Sequence, residues 1–154
     1  MSDVPAYLFG VEPVVEAFGR WPSFHDAPVV RFDHEQSGDG SIELVLHAFE
    51  CDWQEPDDLG YFKRTKHHLV HFRFSGLDEV ALDRFAASNI LFELGLSTQA
   101  HYDATGTFRV TLDSAMGSDL CGSFLARRGE VVGLTRCTEN GCVIASETDG
   151  GRAL

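Results

Sequence analysis

Long apolar runs are missing from this 154-residue chain, and so is a positively charged leader. The start, MSDVPAYLFGVEPVV, carries Asp3 early and never sustains its apolar character, which speaks against a secretory signal or a membrane span. The expected location is the cytoplasm. Cysteine is sparse too: Cys51, Cys121, Cys137 and Cys142 are too few and too irregular for a disulfide framework, and none forms a C-x-x-C unit. Reduced, mostly buried thiols are expected. Basic residues are outnumbered, 12 Lys and Arg against 24 Asp and Glu, for a formal net charge of -12. Such a surplus repels phosphate backbones and attracts cationic surfaces at long range, so the expected partners do not include nucleic acid. Equally absent are G-x-S-x-G, a Gly-rich phosphate loop, H-E-x-x-H and a dinucleotide fingerprint, so no nucleophile or cofactor can be named. No repeat and no low-complexity linker divides the chain.

What is present suits one globular core. A chain 44% hydrophobic and 23% charged, of this length, can bury roughly two thirds of its unfolded surface. The pattern predicts a single α+β domain over residues 1–145, mainly one antiparallel sheet with a short N-terminal helix packed on it, and a polar tail over 146–154. Val11, Val14, Val15 and Phe18 follow helical spacing, with Pro13 at an early position and Gly19 able to end the helix. Ser23 and Asp26 match a capping box, but Pro28 limits that segment to one turn. From Val29 the residues alternate, Val30 and Phe32 on one side and Arg31 and Asp33 on the other. QSGDGS then turns the chain into Ile42, Leu44 and Leu46, an antiparallel hairpin. CDWQEPDDLGYFKRTK reads as a long polar loop. Beyond it Val70, Phe72 and Phe74 mark a third strand, and Ile90 to Leu96 and Phe108 to Leu112 mark two more. Residues 78–87 fit helix and strand equally well, and CGSFLARRGEVVGLTRC fits a last hairpin or one bent strand.

Two groups invite a chemical reading. His67, His68 and His71 resemble metal ligands, yet on a strand His67 and His68 face opposite sides and His67 and His71 stand about 13 Å apart. A zinc ion holding nitrogens at about 2 Å cannot bridge that gap, though His47 could join His71 from a neighbouring strand if the register allows. Solvent-facing polar histidines are the plainer reading, and no metal is expected. His25 and Asp26 evoke a carboxylate orienting an imidazole, but sequence neighbours diverge in strand and turn alike. The favoured alternative is structural: Asp26 caps a turn and His25 bonds a backbone group beneath Trp21 and Phe24. YFKRTK mixes aromatics with Lys63, Arg64 and Lys66 as a nucleic-acid contact does, but within so acidic a chain a solvated loop fits better.

Recognition is what remains. Acidic residues gather at Glu55, Asp57 and Asp58, at Asp33, Glu35 and Asp39, and at Asp78, Glu79 and Asp83. They serve solubility or a basic partner equally well.

The runs FGRWPSFHDAPVVRF, HHLVHFRFSGLDEVALDRFAASNILFELGLS and GSFLARRGEVVGL, spanning about Val11 to Arg136, resemble the immunity protein 50 family of bacterial polymorphic-toxin systems. WPSFHDA, with Trp21, Pro22, Phe24, His25 and Asp26, is the specific part of the likeness. The resemblance implies an α+β domain that binds a cognate protein toxin and blocks it without catalysis. The expected contacts, from polarity and position, are Asp33, Glu35, Trp53, Glu55, Asp57 and Asp58. Two alternatives stand beside it: a small enzyme or ligand-binding domain in which His25 and Asp26 meet His47 or His71, and a self-associating module that forms a homodimer through an apolar sheet face.

Overall fold

Pro13 presets the first helical turn and Gly19, at φ 78°, takes the left-handed geometry that stops it, giving helix α1 (Glu12–Phe18). Its Val14 and Phe18 are buried. The computed structural model describes residues 8–22, 24, 27–56, 60, 62–82, 91–96, 108–114 and 122–144, with the backbone alone in 52–56, 62–63, 91–96 and 113–114. Among the described residues nine strands accompany the helix: β1 (Leu8–Phe9), β2 (Val29–Glu35), β3 (Ser41–Pro56), β4 (Phe62–Ser75), β5 (Asp78–Leu82), β6 (Leu91–Leu96), β7 (Phe108–Ser114), β8 (Gly122–Ala126) and β9 (Arg128–Arg136).

The class is α+β, strand-rich and antiparallel apart from β1, which pairs in parallel with β9. One expectation needs correction: the strands form two sheets, not one. Five lie in the order β1-β9-β4-β3-β2 and four in the order β5-β8-β7-β6. The sheets share two continuous stretches of chain. β4 passes through Gly76 into β5, and its partner β8 passes through Arg127 into β9, so a single two-stranded ribbon bends from one sheet into the other. At the bend Arg127 donates its backbone N–H to the Ser75 carbonyl at 2.9 Å. Gly76 sits at φ 66°, and a Cβ there would come within 2.8 Å of Arg127 Cβ. The bent-strand reading is therefore the right one for the described residues 122–136, and the part of 78–87 that is described is strand.

The core fills the space between the sheets. Ile42, Leu44 and Leu46 from β3, Val70, Phe72 and Phe74 from β4, and Val110, Leu112 and Phe124 from the second sheet are all fully buried. Each such side chain contributes about 1.5–3 kcal/mol. Aromatic rings run through this core as a chain. Trp21 and Phe24 meet Phe72 at 6.2 and 5.5 Å, Phe72 stacks on Phe74 at 5.9 Å, and Phe74 reaches Phe124 at 5.5 Å.

Two further departures concern phase and length. A bulge between Val29 and Arg31 turns Val29 inward and leaves Val30 48% exposed, so Val30 does not share the inner side with Phe32. The long polar loop is mostly strand: β3 and β4 pair on as far as Pro56 and Phe62, forming a two-stranded arm beyond the reach of β2 and β9. Its sequence reads as loop because CDWQEP and FKRTK do not alternate apolar with polar residues. Among the described residues, no helix is long and apolar enough to cross a membrane.

Candidate functional site

Residues of β2, β3, β4 and β9 that point away from the core line up in register across the five-stranded sheet. One row reads Arg31, Val45, His71, Gly133, and the next reads Asp33, Glu43, Arg73, Glu130. Antiparallel pairing brings such opposed side chains close enough to interact. Glu43 is the hub: its carboxylate accepts from His71 Nε2 at 2.9 Å and lies 3.5 Å from Arg73 Nη2 and 3.8 Å from Arg31 Nη2. Arg31 also donates Nε–H to Asp33, which raises the guanidinium pKa further above its ordinary value. Val45, set between Arg31 and His71, is only 9% exposed, roofed by these longer side chains.

A second cluster lies higher on the same face. His47 is 5% exposed, its Nε2 stands 3.0 Å from His67 Nδ1, and His67 Nε2 stands 3.2 Å from the Arg64 carbonyl oxygen. Phe49 borders both rings, each at 6.0 Å, and the Arg64 guanidinium sits 4.4 Å above the Phe49 ring centre. Burial, then the neighbouring His67 and Arg64, push the His47 pKa below its ordinary value. In the unbroken register from Ser41 opposite Ser75 to Ala48 opposite His68, His71 stands opposite Val45 and His47 opposite Leu69, so His47 meets His67, diagonal to it, and not His71, the partner considered from sequence. His68 faces the other way, its ring 5.3 Å from Phe18, with Nδ1 2.9 Å from the Lys66 carbonyl. Among the described residues no group of three His, Cys, Asp or Glu could hold a metal ion.

The WPSF segment is a packing element in the part that is described. Trp21, Pro22 and Phe24 are buried, Phe24 adopts φ 59°, and Ala27 N–H bonds the Phe24 carbonyl at 3.3 Å to close one turn. Ser23, His25 and Asp26 lie outside the described residues. Of the expected partner contacts, Asp33 and Glu35 are exposed on β2, the edge strand of the sheet. Trp53 and Glu55 belong to the β3 arm, described in backbone alone, and Asp57 and Asp58 lie outside the described residues. Asp33 pairs with Glu43, so at the usual strand rise the positions of Asp33 and Trp53 are about 30 Å apart. Asp33 and Trp53 therefore do not share one cluster.

The thiols depart from the expected pattern: Cys137 is buried, Cys51 half-buried and Cys142 exposed. Cys121 lies outside the described residues. Comparisons of the chain with protein-family models, curated proteins and solved structures found no match.

Proposed function

We propose that the protein is a non-catalytic binding protein of the immunity type, acting in the cytoplasm by occluding a cognate toxin with a basic surface. The observation that carries this reading is the use made of the strand histidines. His47 and His67 bond each other, His71 bonds Glu43, and His68 rests on the Lys66 carbonyl and the Phe18 ring. Engaged in this way, they stiffen a surface and do not converge on a reacting atom. The -12 charge supports a basic partner, since complementary fields speed encounter. The resemblance of WPSFHDA to immunity protein 50 sequences points the same way.

The separation of about 30 Å between the positions of Asp33 and Trp53 matches the width of an ordinary interface of roughly 800 Å² per partner. One toxin face can thus engage Asp33 and Glu35 together with the arm that carries Trp53 and Glu55; Asp57 and Asp58 complete the expected contacts. The test is capture of the product of the adjacent reading frame by the wild type and by a Glu55→Gln, Asp57→Asn, Asp58→Asn variant. Weakened, salt-sensitive capture by the variant is expected. Unchanged capture rejects the arm tip as the interface, and no capture by the wild type rejects the reading.

The His71–Glu43 contact favours a second reading, a small enzyme or ligand-binding domain, because a carboxylate on one imidazole nitrogen leaves the other available. A small molecule that shifts the His71 ring resonances would support it.

A further inference from the structure

We propose that the His47–His67 pair is an acid-sensitive latch on the turn formed by residues 137–144. A carbonyl oxygen only accepts, so His67 Nε2, 3.2 Å from the Arg64 carbonyl, carries a hydrogen. In the neutral pair His67 Nδ1 is then a bare acceptor, and His47 Nε2–H donates to it across 3.0 Å. His47 Nδ1 is left without a hydrogen.

One more proton has one place to go. If His47 takes the charge, its Nδ1 becomes N–H. If His67 takes it, His67 Nδ1–H donates to His47 Nε2, and His47 must shift its own hydrogen to Nδ1. Either way, with both hydrogen bonds kept, the added proton resides on His47 Nδ1.

That nitrogen lies beneath the turn. A Cβ built on Gly141 would be 3.6 Å from it, and His47 is 5% exposed. The turn is anchored to the pair, since Cys137 donates its N–H to the His67 carbonyl at 3.1 Å. Its other bonds are internal or to β9: Thr138 N–H to Cys142 O, Gly141 N–H to Thr138 O, and Ile144 N–H to Arg136 O. From β4 the charged groups acting on the His47 ring are His67 and Arg64, neither of which offsets a positive charge. From the turn Cys137 stays a neutral thiol because burial raises its pKa. Glu139 is exposed, and β3's Glu50 pairs with Lys66 and Arg20. Among the described residues no carboxylate lies within ion-pair distance of either ring. A charged, donor-bearing nitrogen without an acceptor is costly to bury, so the turn lifts to admit water.

The test is amide hydrogen exchange, expressed as protection factors, on the wild type between pH 7.5 and 5, with imidazole resonances followed in parallel. Protection of the Cys137, Thr138, Gly141 and Ile144 amides should fall by up to about tenfold per pH unit below about pH 6.5, where opening takes up one proton on His47, and level off beneath the lowered pKa of the closed state. Core amides of β3 and β4, which open only on global unfolding, should stay far better protected than the turn at every pH. A His47→Gln variant should show a flat profile. Constant turn protection down to pH 5, turn protection equal to that of the core, or an unchanged fall in the variant would each overturn the proposal. Should the variant not fold, the wild type decides: a His47 ring that titrates while the turn stays protected is equally fatal.

Discussion

Lys66 Nζ lies 3.3 Å from the carbonyl oxygen of Phe18, so a strand lysine closes the C-terminal end of helix α1. The helix has no basic residue in its own last turn, and Lys66 supplies that charge while also meeting Glu50 at 3.1 Å. Replacing Lys66 with Met should lower stability by about 0.5–1 kcal/mol, a modest figure because the side chain is partly exposed. A shift of the urea midpoint at unchanged slope, shrinking in high salt, is the expected readout.

Phe24 links the WPSF segment to the core through edge-on contacts with Trp21 and Phe72 at 5.5 Å each. Phe24→Ala should cost about 3–5 kcal/mol in chemical denaturation. A loss under 1 kcal/mol would mean that the segment does not anchor the fold.

At the bend between the sheets, Gly76→Ala meets both a left-handed backbone and the Arg127 side chain. A destabilisation of about 1–3 kcal/mol is expected. Combining it with Arg127→Gly should recover the steric part and leave the backbone part, which a double-mutant cycle separates.

Thiol labelling at pH 8 should separate Cys142 from Cys137. Burial raises the Cys137 pKa, so at any given pH less of it is thiolate than of an exposed thiol. Site-resolved mass spectrometry should find Cys142 alkylated in the native state and Cys137 alkylated only on unfolding.

The sign of the pH effect on global stability follows from His47. Its folded pKa is below the ordinary value of 6.5, so beneath about pH 6.5 the unfolded chain holds more protons than the folded one. The contribution of His47 is therefore complete above that pH and declines as pH falls towards the folded pKa, by at most about 1.4 kcal/mol per unit. Denaturation midpoints of wild type and His47→Gln between pH 8 and 5 should converge on the acid side.

Alternation made the core legible from sequence. Ile42, Leu44, Leu46, Val70, Phe72, Phe74, Phe108, Val110 and Leu112 all point inward as their period of two requires, and Pro13 and Gly19 bracket the helix. Pairing accounts for much of what escaped. The irregularity at Val29–Arg31 reverses the phase of Val30, and the β3–β4 register sets His71 opposite Val45 and leaves His67 diagonal to His47. Neither a bulge nor the register between two strands is written in the alternation of one of them. The β3–β4 arm escaped because CDWQEP and FKRTK carry no apolar alternation to reveal a strand. The split into two sheets hinges on Gly76 and Arg127, and a lone glycine before Leu77 reads equally well as an ordinary turn.

The bent ribbon governs how the molecule can yield. Two packed layers joined only by side chains can slide or swing apart, but here the covalent backbone of both ribbon strands runs through each layer. The protein is a creased strap, and neither half can shear away from the other without first straightening the crease at Gly76.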